Sequence, residues 1–120
     1  MIEFEVPVRL VSLLNAREHH MARARRAKTQ RTAAHTIARA RVSGLVDTNL
    51  LLTVTITRIA PRELDDDNLA GSAKHVRDGI ADALGIDDGD KRVQWRYEQA
   101  KFTGPHRGCY SCAVRIEVRE

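Results

Sequence analysis

The sequence predicts an α+β fold in which two main helices pack on a mostly antiparallel sheet of four strands. Four segments alternate apolar and polar residues, and two other segments have the composition or the periodicity of helices. The chain has 120 residues, of which 42% are hydrophobic and 30% charged, an ordinary balance for one globular domain. Because it contains neither a repeat nor a linker rich in Pro or Gly, residues 1–120 are expected to form a single domain.

Apolar residues at every second position indicate the first strand, over residues 2–10. Pro7 lies within it, and because proline has no N–H for a ladder, this strand is expected at an edge or at a bulge. The other three strands show the same alternation, at residues 52–57, 93–98 and 112–118. Such alternation is typical of a sheet with one face on the core and one polar face, which favours antiparallel pairing.

The first predicted helix covers about residues 17–41, which are rich in the helix formers Ala and Arg but have a weak apolar stripe. The second covers residues 68–84, where the large apolar residues fall in one arc of a wheel drawn at about 100° per residue. Gly85 follows as a C-terminal cap, with Ile86 as its hydrophobic partner. The carboxylates of residues 65–67 precede the first turn, where they cap free N–H groups.

Charge is segregated along the chain, whose overall net charge is +4. Residues 17–41 contain eight basic residues and one acidic residue, a net charge of +7. Residues 62–90 contain nine acidic and three basic residues, a net charge of −6. A basic segment of this size attracts a polyanion, whereas the acidic segment would repel it. A divalent cation held by the acidic residues would reconcile the two.

The acidic residues form two groups, one at each end of the second predicted helix. Asp65 and Asp67 precede the helix, and Asp88 and Asp90 follow it. Because such a helix is about 25 Å long, the two groups meet only if the flanking strands bring them together. Together they would hold Mg²⁺ or Mn²⁺ beside a basic surface, an arrangement typical of phosphodiester hydrolysis. The alternative is structural, with helix capping at one end and a tight polar turn at the other.

Residues 62–93 carry the order of motifs of a known family. The motifs are an acid-rich segment that opens a helix, a lysine, an Asp-Ala-Leu near the helix end, and an acidic turn before a strand: Asp65-Asp66-Asp67-Asn68-Leu69, Lys74, Asp82-Ala83-Leu84, Asp87-Asp88-Gly89-Asp90 and Val93. This order resembles that of the RusA-type Holliday junction resolvases of bacteria and phages. The resemblance implies a homodimer that binds four-way DNA junctions and, with Mg²⁺ or Mn²⁺, resolves them by paired symmetric nicks in DNA recombination and repair.

The resemblance also implies a set of metal-binding and catalytic residues. Asp65 and Asp67 match the family's first two metal ligands. The third acid corresponds to Asp88 or to Asp90, and both stay candidates because this turn is longer than the family's. The family's catalytic lysine usually stands four residues after the second Asp, where this chain has Gly71. Its counterpart here is Lys74, seven residues after Asp67 and one helical turn beyond Gly71 on the same face.

The early basic segment is expected to contact backbone phosphates, which would make binding sensitive to salt and dependent on DNA shape. The expected DNA-binding residues are Arg17, Arg23, Arg25, Arg26, Lys28 and Arg31. Two other functions fit the sequence. A non-catalytic nucleic-acid-binding module explains the basic segment but not the acidic one. A nuclease for other branched DNA would use the same metal chemistry.

The two cysteines are too few for a disulfide framework, and the N-terminus lacks the pattern of a signal peptide. The expected compartment is therefore the cytoplasm of a bacterium or of a phage-infected cell. His106, Cys109 and Cys112 lack the fourth ligand of a zinc site. Because Cys112 falls in the inward register of the last strand, a buried free thiol is expected.

Overall fold

The computed structural model describes residues 1–12, 19–42, 51–87, 89–101 and 110–119. The strands are β1 (Ile2–Val6), β2 (Leu52–Ala60), β3 (Val93–Lys101) and β4 (Ser111–Val118). The helices are α1 (His20–Val42), α2 (Asp66–Ser72) and α3 (Lys74–Leu84). The predicted α+β class is therefore confirmed, and so are the four predicted strands, of which the first ends at Val6 instead of residue 10. None of the helices in these ranges has both the length and the apolar character needed to cross a membrane.

The four strands form one mixed sheet in the order β1-β4-β2-β3. β4 lies antiparallel to both β1 and β2, with Ile116 opposite Ile2 on one side and Val54 on the other. β3 lies parallel to β2, because α2 and α3 carry the chain back to the starting end of the sheet. Apolar and polar residues therefore alternate in β3 because one face of this edge strand contacts the core and the other face is exposed. The alternation does not indicate an antiparallel neighbour.

The second predicted helix is two helices, so the prediction of one continuous helix over residues 68–84 is wrong. α2 ends and α3 begins at Ala73, which has φ −92° and ψ −1°. The side-chain hydroxyl of Ser72 donates to the Leu69 carbonyl oxygen (2.7 Å), next to the break. The predicted end of the helix is confirmed: Gly85 takes the left-handed conformation, with φ 70°, and the Ile86 N–H donates to the Ala81 carbonyl oxygen.

The core lies between one face of the sheet and the pair of helices α1 and α3. The central strands and the two helices contribute residues that are almost fully buried: Val54, Ile56, Val114, Ile116, Ala34, Ala38, Val76 and Ile80. The opposite side, here called the outer face, carries the alternate residues of each strand, such as Arg96, Glu98 and Arg115. The basic first helix and the acidic residues around α2 and α3 therefore belong to the helical side of the molecule.

Cys112 is fully buried on the core side of β4, and this burial raises the pKa of its thiol to about 12. The prediction of a buried free thiol is confirmed. Cys109 and His106 lie outside the described residues.

At Gly79, α3 lies directly against the backbone of α1. A methyl group added there would overlap sterically with the Arg31 carbonyl oxygen and would lie 2.8 Å from Cβ of Ala34. We expect Gly79→Ala to lower the free energy of unfolding by about 1–3 kcal/mol, because this overlap outweighs the better helix propensity of alanine. Urea unfolding followed by circular dichroism measures the change.

Gly71 provides the matched control for this substitution. It is also helical, and a methyl group added there meets nothing within 4 Å. Gly71→Ala should therefore raise the free energy of unfolding by about 0.5–1 kcal/mol. Equal effects of the two substitutions would contradict the close helix contact.

Candidate nucleic-acid interface

α1 carries seven basic residues and no acidic residue over its 23 positions. Its core side consists of Gln30, Ala34, Ala38 and Val42, which are buried. The side opposite to these residues, at about 100° per residue, presents three exposed basic side chains and several threonines to solvent. We call the exposed residues Arg25, Lys28 and Arg39 the basic face of α1. It extends over about 21 Å along the helix.

The other predicted DNA-binding residues are placed differently. Arg31 makes a two-pronged ion pair with Asp82 of α3 (2.7 and 3.0 Å), and these hydrogen bonds lower the pKa of Asp82. Arg26 is half-buried, and burial lowers the pKa of its guanidinium. Arg23 is exposed near the start of the helix, and Arg17 lies outside the described residues. Arg31 thus joins α1 to α3, a role that its local sequence does not reveal.

The start of α2 contains the first acidic group. Asp65 caps the helix, since its Oδ1 accepts hydrogen bonds from the backbone N–H (2.9 Å) and the side-chain amide (2.8 Å) of Asn68. The Ser12 hydroxyl donates to the other end of that amide, Oδ1 of Asn68 (2.5 Å). Asp66 and Asp67 occupy the first turn and are exposed. The capping interpretation is therefore confirmed for Asp65, while the Asp67 carboxylate faces solvent.

Asp90 belongs to the turn before β3. Both of its carboxylate oxygens accept hydrogen bonds from the Arg92 guanidinium, at 2.6–3.2 Å, and Oδ1 also accepts from the Arg92 backbone N–H (2.9 Å). These bonds lower the pKa of Asp90 to about 2. The carbonyl oxygen of Asp90 accepts from the Val93 N–H (3.2 Å), which leads the chain into the strand. Asp88 lies outside the described residues.

Asp65 and Asp90 lie at opposite ends of β3. Asp90 stands three residues before Val93, the first residue of the strand, whereas Leu64, the neighbour of Asp65, exchanges two hydrogen bonds with the Gln99 side chain (2.9 and 2.6 Å). Six residues of strand separate these two points, a distance of about 20 Å.

Asp65 and Asp67 therefore lie far from Asp90 within one chain, and the shared metal site that the resemblance implies stays a prediction. The physical reason for the separation is the parallel pairing of β2 and β3, which sends the two ends of the α2–α3 crossover to opposite ends of the sheet. Among the described residues, no three His, Cys, Asp or Glu side chains are placed to hold one metal ion.

Lys74 is the first residue of α3 and is exposed. Because the helix breaks at Ala73, Lys74 and Asp67 belong to different helices, and the prediction that they share one helical face is wrong. His75 beside it is half-buried. Burial is the main cause that lowers the pKa of His75, with Lys74, Arg26 and Arg31 acting in the same direction and Asp78 opposing them.

Sequence reasoning missed the role of Arg58. This side chain on β2 is buried, and its Nε donates to the Leu10 carbonyl oxygen (2.9 Å) while Nη1 donates to the Arg62 carbonyl oxygen (2.5 Å). It thus fixes the segment before α1 and the segment before α2 to the same end of the sheet. Nearby, the Arg9 guanidinium lies 4.1 Å from the ring centre of Tyr110. The available signal was an arginine inside an otherwise apolar and threonine-rich strand.

The structure joins the basic helix to the acidic start of α2 through residues 8–12. The side-chain amide of Gln30 donates to the Arg9 carbonyl oxygen (2.7 Å), and Ser12 bonds to Asn68 as described above. The same short segment therefore contacts α1, β2 and α2. Residues 8–12 thus link the middle of α1, at Gln30, to the start of α2, where the Asp67 carboxylate is exposed.

No protein-family model matches the chain. An uncharacterized protein of Xylella fastidiosa (strain Temecula1 / ATCC 700964) is 46% identical over an alignment of 81 residues, and the match covers 62% of this chain and 51% of that protein. The chain thus spans about half the length of this relative.

Two solved structures show a weaker likeness. A 2C-methyl-D-erythritol 2,4-cyclodiphosphate synthase is 13% identical with a TM-score of 0.38, over 71% of this chain and 51% of that one. The corresponding Plasmodium vivax enzyme is 17% identical with a TM-score of 0.35, over 79% of this chain and 57% of that one. TM-scores this low carry no inference about the activity of this chain.

Proposed function

We propose that the chain is a homodimeric, Mg²⁺-dependent endodeoxyribonuclease that binds four-way DNA junctions and cuts them by paired nicks. The observation that carries the proposal is the link through residues 8–12 between the basic helix α1, at Gln30, and the start of α2, where the carboxylate of Asp67 is exposed. The motif order of residues 62–93 supports the same activity.

The basic face of α1 supports the DNA-binding part of the proposal. Arg25, Lys28 and Arg39 are exposed along about 21 Å of helix, a length that matches several successive phosphates of one strand. Arginine and lysine side chains contact phosphates without reading base sequence, so the binding would depend on the shape of the DNA. Branched DNA brings phosphates of several strands together and is the polyanion that such a surface would favour.

Among the described residues, the carboxylates of Asp67 and Asp90 of one chain do not fit one cation. About 20 Å of strand separates Asp67 from Asp90, and Arg92 already occupies both carboxylate oxygens of Asp90. A cation that needs acids from both groups must therefore be held between two chains. The proposed activity consequently belongs to the dimer, in which the start of α2 in one chain lies next to the turn before β3 in the other.

A second candidate is a non-catalytic nucleic-acid-binding module. It is favoured by the structural roles of Asp65, which caps α2, and of Asp90, which pairs with Arg92. In this alternative the acidic residues only shape the helix ends and turns, and α1 alone carries the function.

Cleavage of synthetic DNA distinguishes these functions. We expect end-labelled four-way junctions to be cut at symmetric positions on two opposite strands with Mg²⁺, and to stay intact with EDTA. Binding without any cutting in Mg²⁺ or Mn²⁺ would contradict the nuclease and support the binding module. Equal cutting of three-way junctions and flaps at the same ionic strength would instead indicate a nuclease for other branched DNA.

A further inference from the structure

β3 is an edge strand of nine residues, and within the described ranges its one strand partner is β2. The other edge of the sheet is β1, which has five residues and is followed by Pro7. A short strand and a nearby proline are common protections of an edge against pairing with another chain. β3 has neither feature, since it is long, contains no proline and keeps a regular register with β2.

The direction of the backbone groups on β3 follows from its first hydrogen bond to β2. The Leu52 N–H donates to the Arg92 carbonyl oxygen (2.8 Å). The backbone N–H and C=O groups of the even-numbered residues of β3 therefore point toward β2. The backbone N–H and C=O groups of Trp95, Tyr97 and Gln99 therefore point to the free edge. They form a row of donors and acceptors with the spacing that an added strand requires.

The side chains of β3 are arranged so that the strand complements itself. On the outer face, Arg96 and Glu98 are exposed and lie two positions apart, on either side of Tyr97. An antiparallel copy of the strand centred on Tyr97 would place each Arg96 opposite a Glu98.

We propose that β3 pairs antiparallel with β3 of a second copy of this chain, about a two-fold axis at Tyr97. In this register Tyr97 and its equivalent form a hydrogen-bonded pair, and Trp95 lies opposite Gln99 of the partner subunit. Arg96 lies opposite Glu98 of the partner subunit in the non-hydrogen-bonded pairs, where Cα atoms approach to about 4.5 Å and side chains are closest. The result is one continuous sheet of eight strands.

Charge selects this register over its neighbours. An axis moved one residue toward the start of the strand would place Arg96 opposite Arg96 of the partner subunit. An axis moved one residue the other way would place Glu98 opposite Glu98 of the partner subunit. Like charges directly opposite each other destabilise a sheet, and both shifts also shorten the ladder.

In the single chain, α3 already holds the large side chains on the core side of β3. Nη1 of Arg77, on α3, donates to the Tyr97 hydroxyl (2.8 Å), and the guanidinium carbon lies 4.8 Å from the ring centre of Trp95. α3 thus fixes both large side chains of the central part of the strand. Because these side chains are already ordered, pairing of the edges loses less side-chain entropy.

A charge-swap cycle tests the interface in the full chain without DNA or metal. We expect the wild-type chain to dimerise, and expect Arg96→Glu and Glu98→Arg each to weaken the dimer by at least about tenfold, because each creates two like-charge pairs. The double variant Arg96→Glu with Glu98→Arg should regain most of the affinity. Sedimentation equilibrium gives the dissociation constants, and the differences should shrink at high salt.

Arg115→Glu is the matched control: Arg115 is half-buried on the outer face of β4, where it pairs with Glu117 (2.8 Å), and the substitution makes the same charge change away from the edge. Circular dichroism confirms that each variant is folded. A wild-type chain that is monomeric up to about 100 µM would overturn the proposal. A dimer that all variants preserve would overturn this interface and leave the proposed function intact. A dimer that responds as expected but cuts no junction would overturn the function and leave the interface intact.

Discussion

An equimolar mixture of Asp67→Asn chains with chains altered at the third acid, Asp88→Asn or Asp90→Asn, should cut a four-way junction, although each variant alone does not. Each single variant should lose at least about 100-fold in cleavage rate, because it removes a carboxylate that the proposed cation site needs. In a mixed dimer in which each metal site takes carboxylates from both chains, the two substitutions fall in the same site. The other site then keeps all of its carboxylates. With random exchange of subunits, about a quarter of all sites are complete. Single-strand nicking of an end-labelled junction measures the recovery.

Asp67 is the better residue of its group for this experiment, because Asp65 also caps α2 and its loss would combine two effects. Asp66→Asn is the matched control, since Asp66 is exposed in the same first turn and should keep wild-type cleavage when altered. Gel-shift assays should show that Asp67→Asn still binds the junction. If the two acidic groups acted within one chain, every site of a mixed dimer would carry a lesion, and the mixture would remain inactive.

The β3 edge pairing gives this experiment a structural basis. In the antiparallel register centred on Tyr97, the end of β3 that follows Asp90 lies beside the far end of the partner strand. That far end is where Leu64 contacts Gln99 and where the chain enters α2. The separation of about 20 Å within one chain thus becomes proximity between two chains. Variants that weaken the edge pairing should lower cleavage in parallel with dimerisation.

Local patterns predicted the elements of the fold well. All four strands follow from period-two alternation, because one face of each strand contacts the core. The end of α3 follows from Gly85, whose left-handed conformation is a property of the residue itself. The first helix, expected at residues 17–41, extends over His20–Val42.

Local signals for the break between α2 and α3 are weak. Ala73 itself has high helix propensity and no proline lies near it, so the Gly71-Ser72 pair just before it is the one local feature that favours a break. The apolar arc of residues 68–84 continues across it, so a wheel shows one helix. The direction of β3 was not predictable, since an edge strand alternates in the same way beside a parallel or an antiparallel neighbour.

The placement of the charged side chains depends on these long-range features. Asp65 and Asp67 are separated from Asp90 because β3 is parallel to β2, which alternation cannot reveal. Arg31 contacts Asp82, 51 positions away, and this ion pair depends on the crossing of α1 over α3 at Gly79. The sequence therefore identified candidate residues by type, while the topology decided which of them meet.

Reversing two charges on the basic face, Arg25→Glu with Lys28→Glu, should weaken junction binding by about 100-fold at low salt. Both side chains are exposed and point away from the core, so the chain should fold normally. If each contacts one phosphate, the plot of log affinity against log salt should become shallower by about two. Fluorescence anisotropy with a labelled junction at several salt concentrations gives both quantities. Arg26 is unsuitable for this test, because it is half-buried and its reversal would disturb the packing of α1.

Arg115→Glu serves again as the comparison, because Arg115 lies on the outer face of the sheet, opposite the helices. Arg115→Glu changes the net charge by the same amount as the single variant Arg25→Glu. A general electrostatic attraction would respond equally to both substitutions, since it depends on net charge. A bound interface along α1 requires Arg25→Glu to weaken binding by about tenfold more than Arg115→Glu does. Equal losses would remove the basic face of α1 from the interface and, with it, the observation on which the DNA-binding proposal stands.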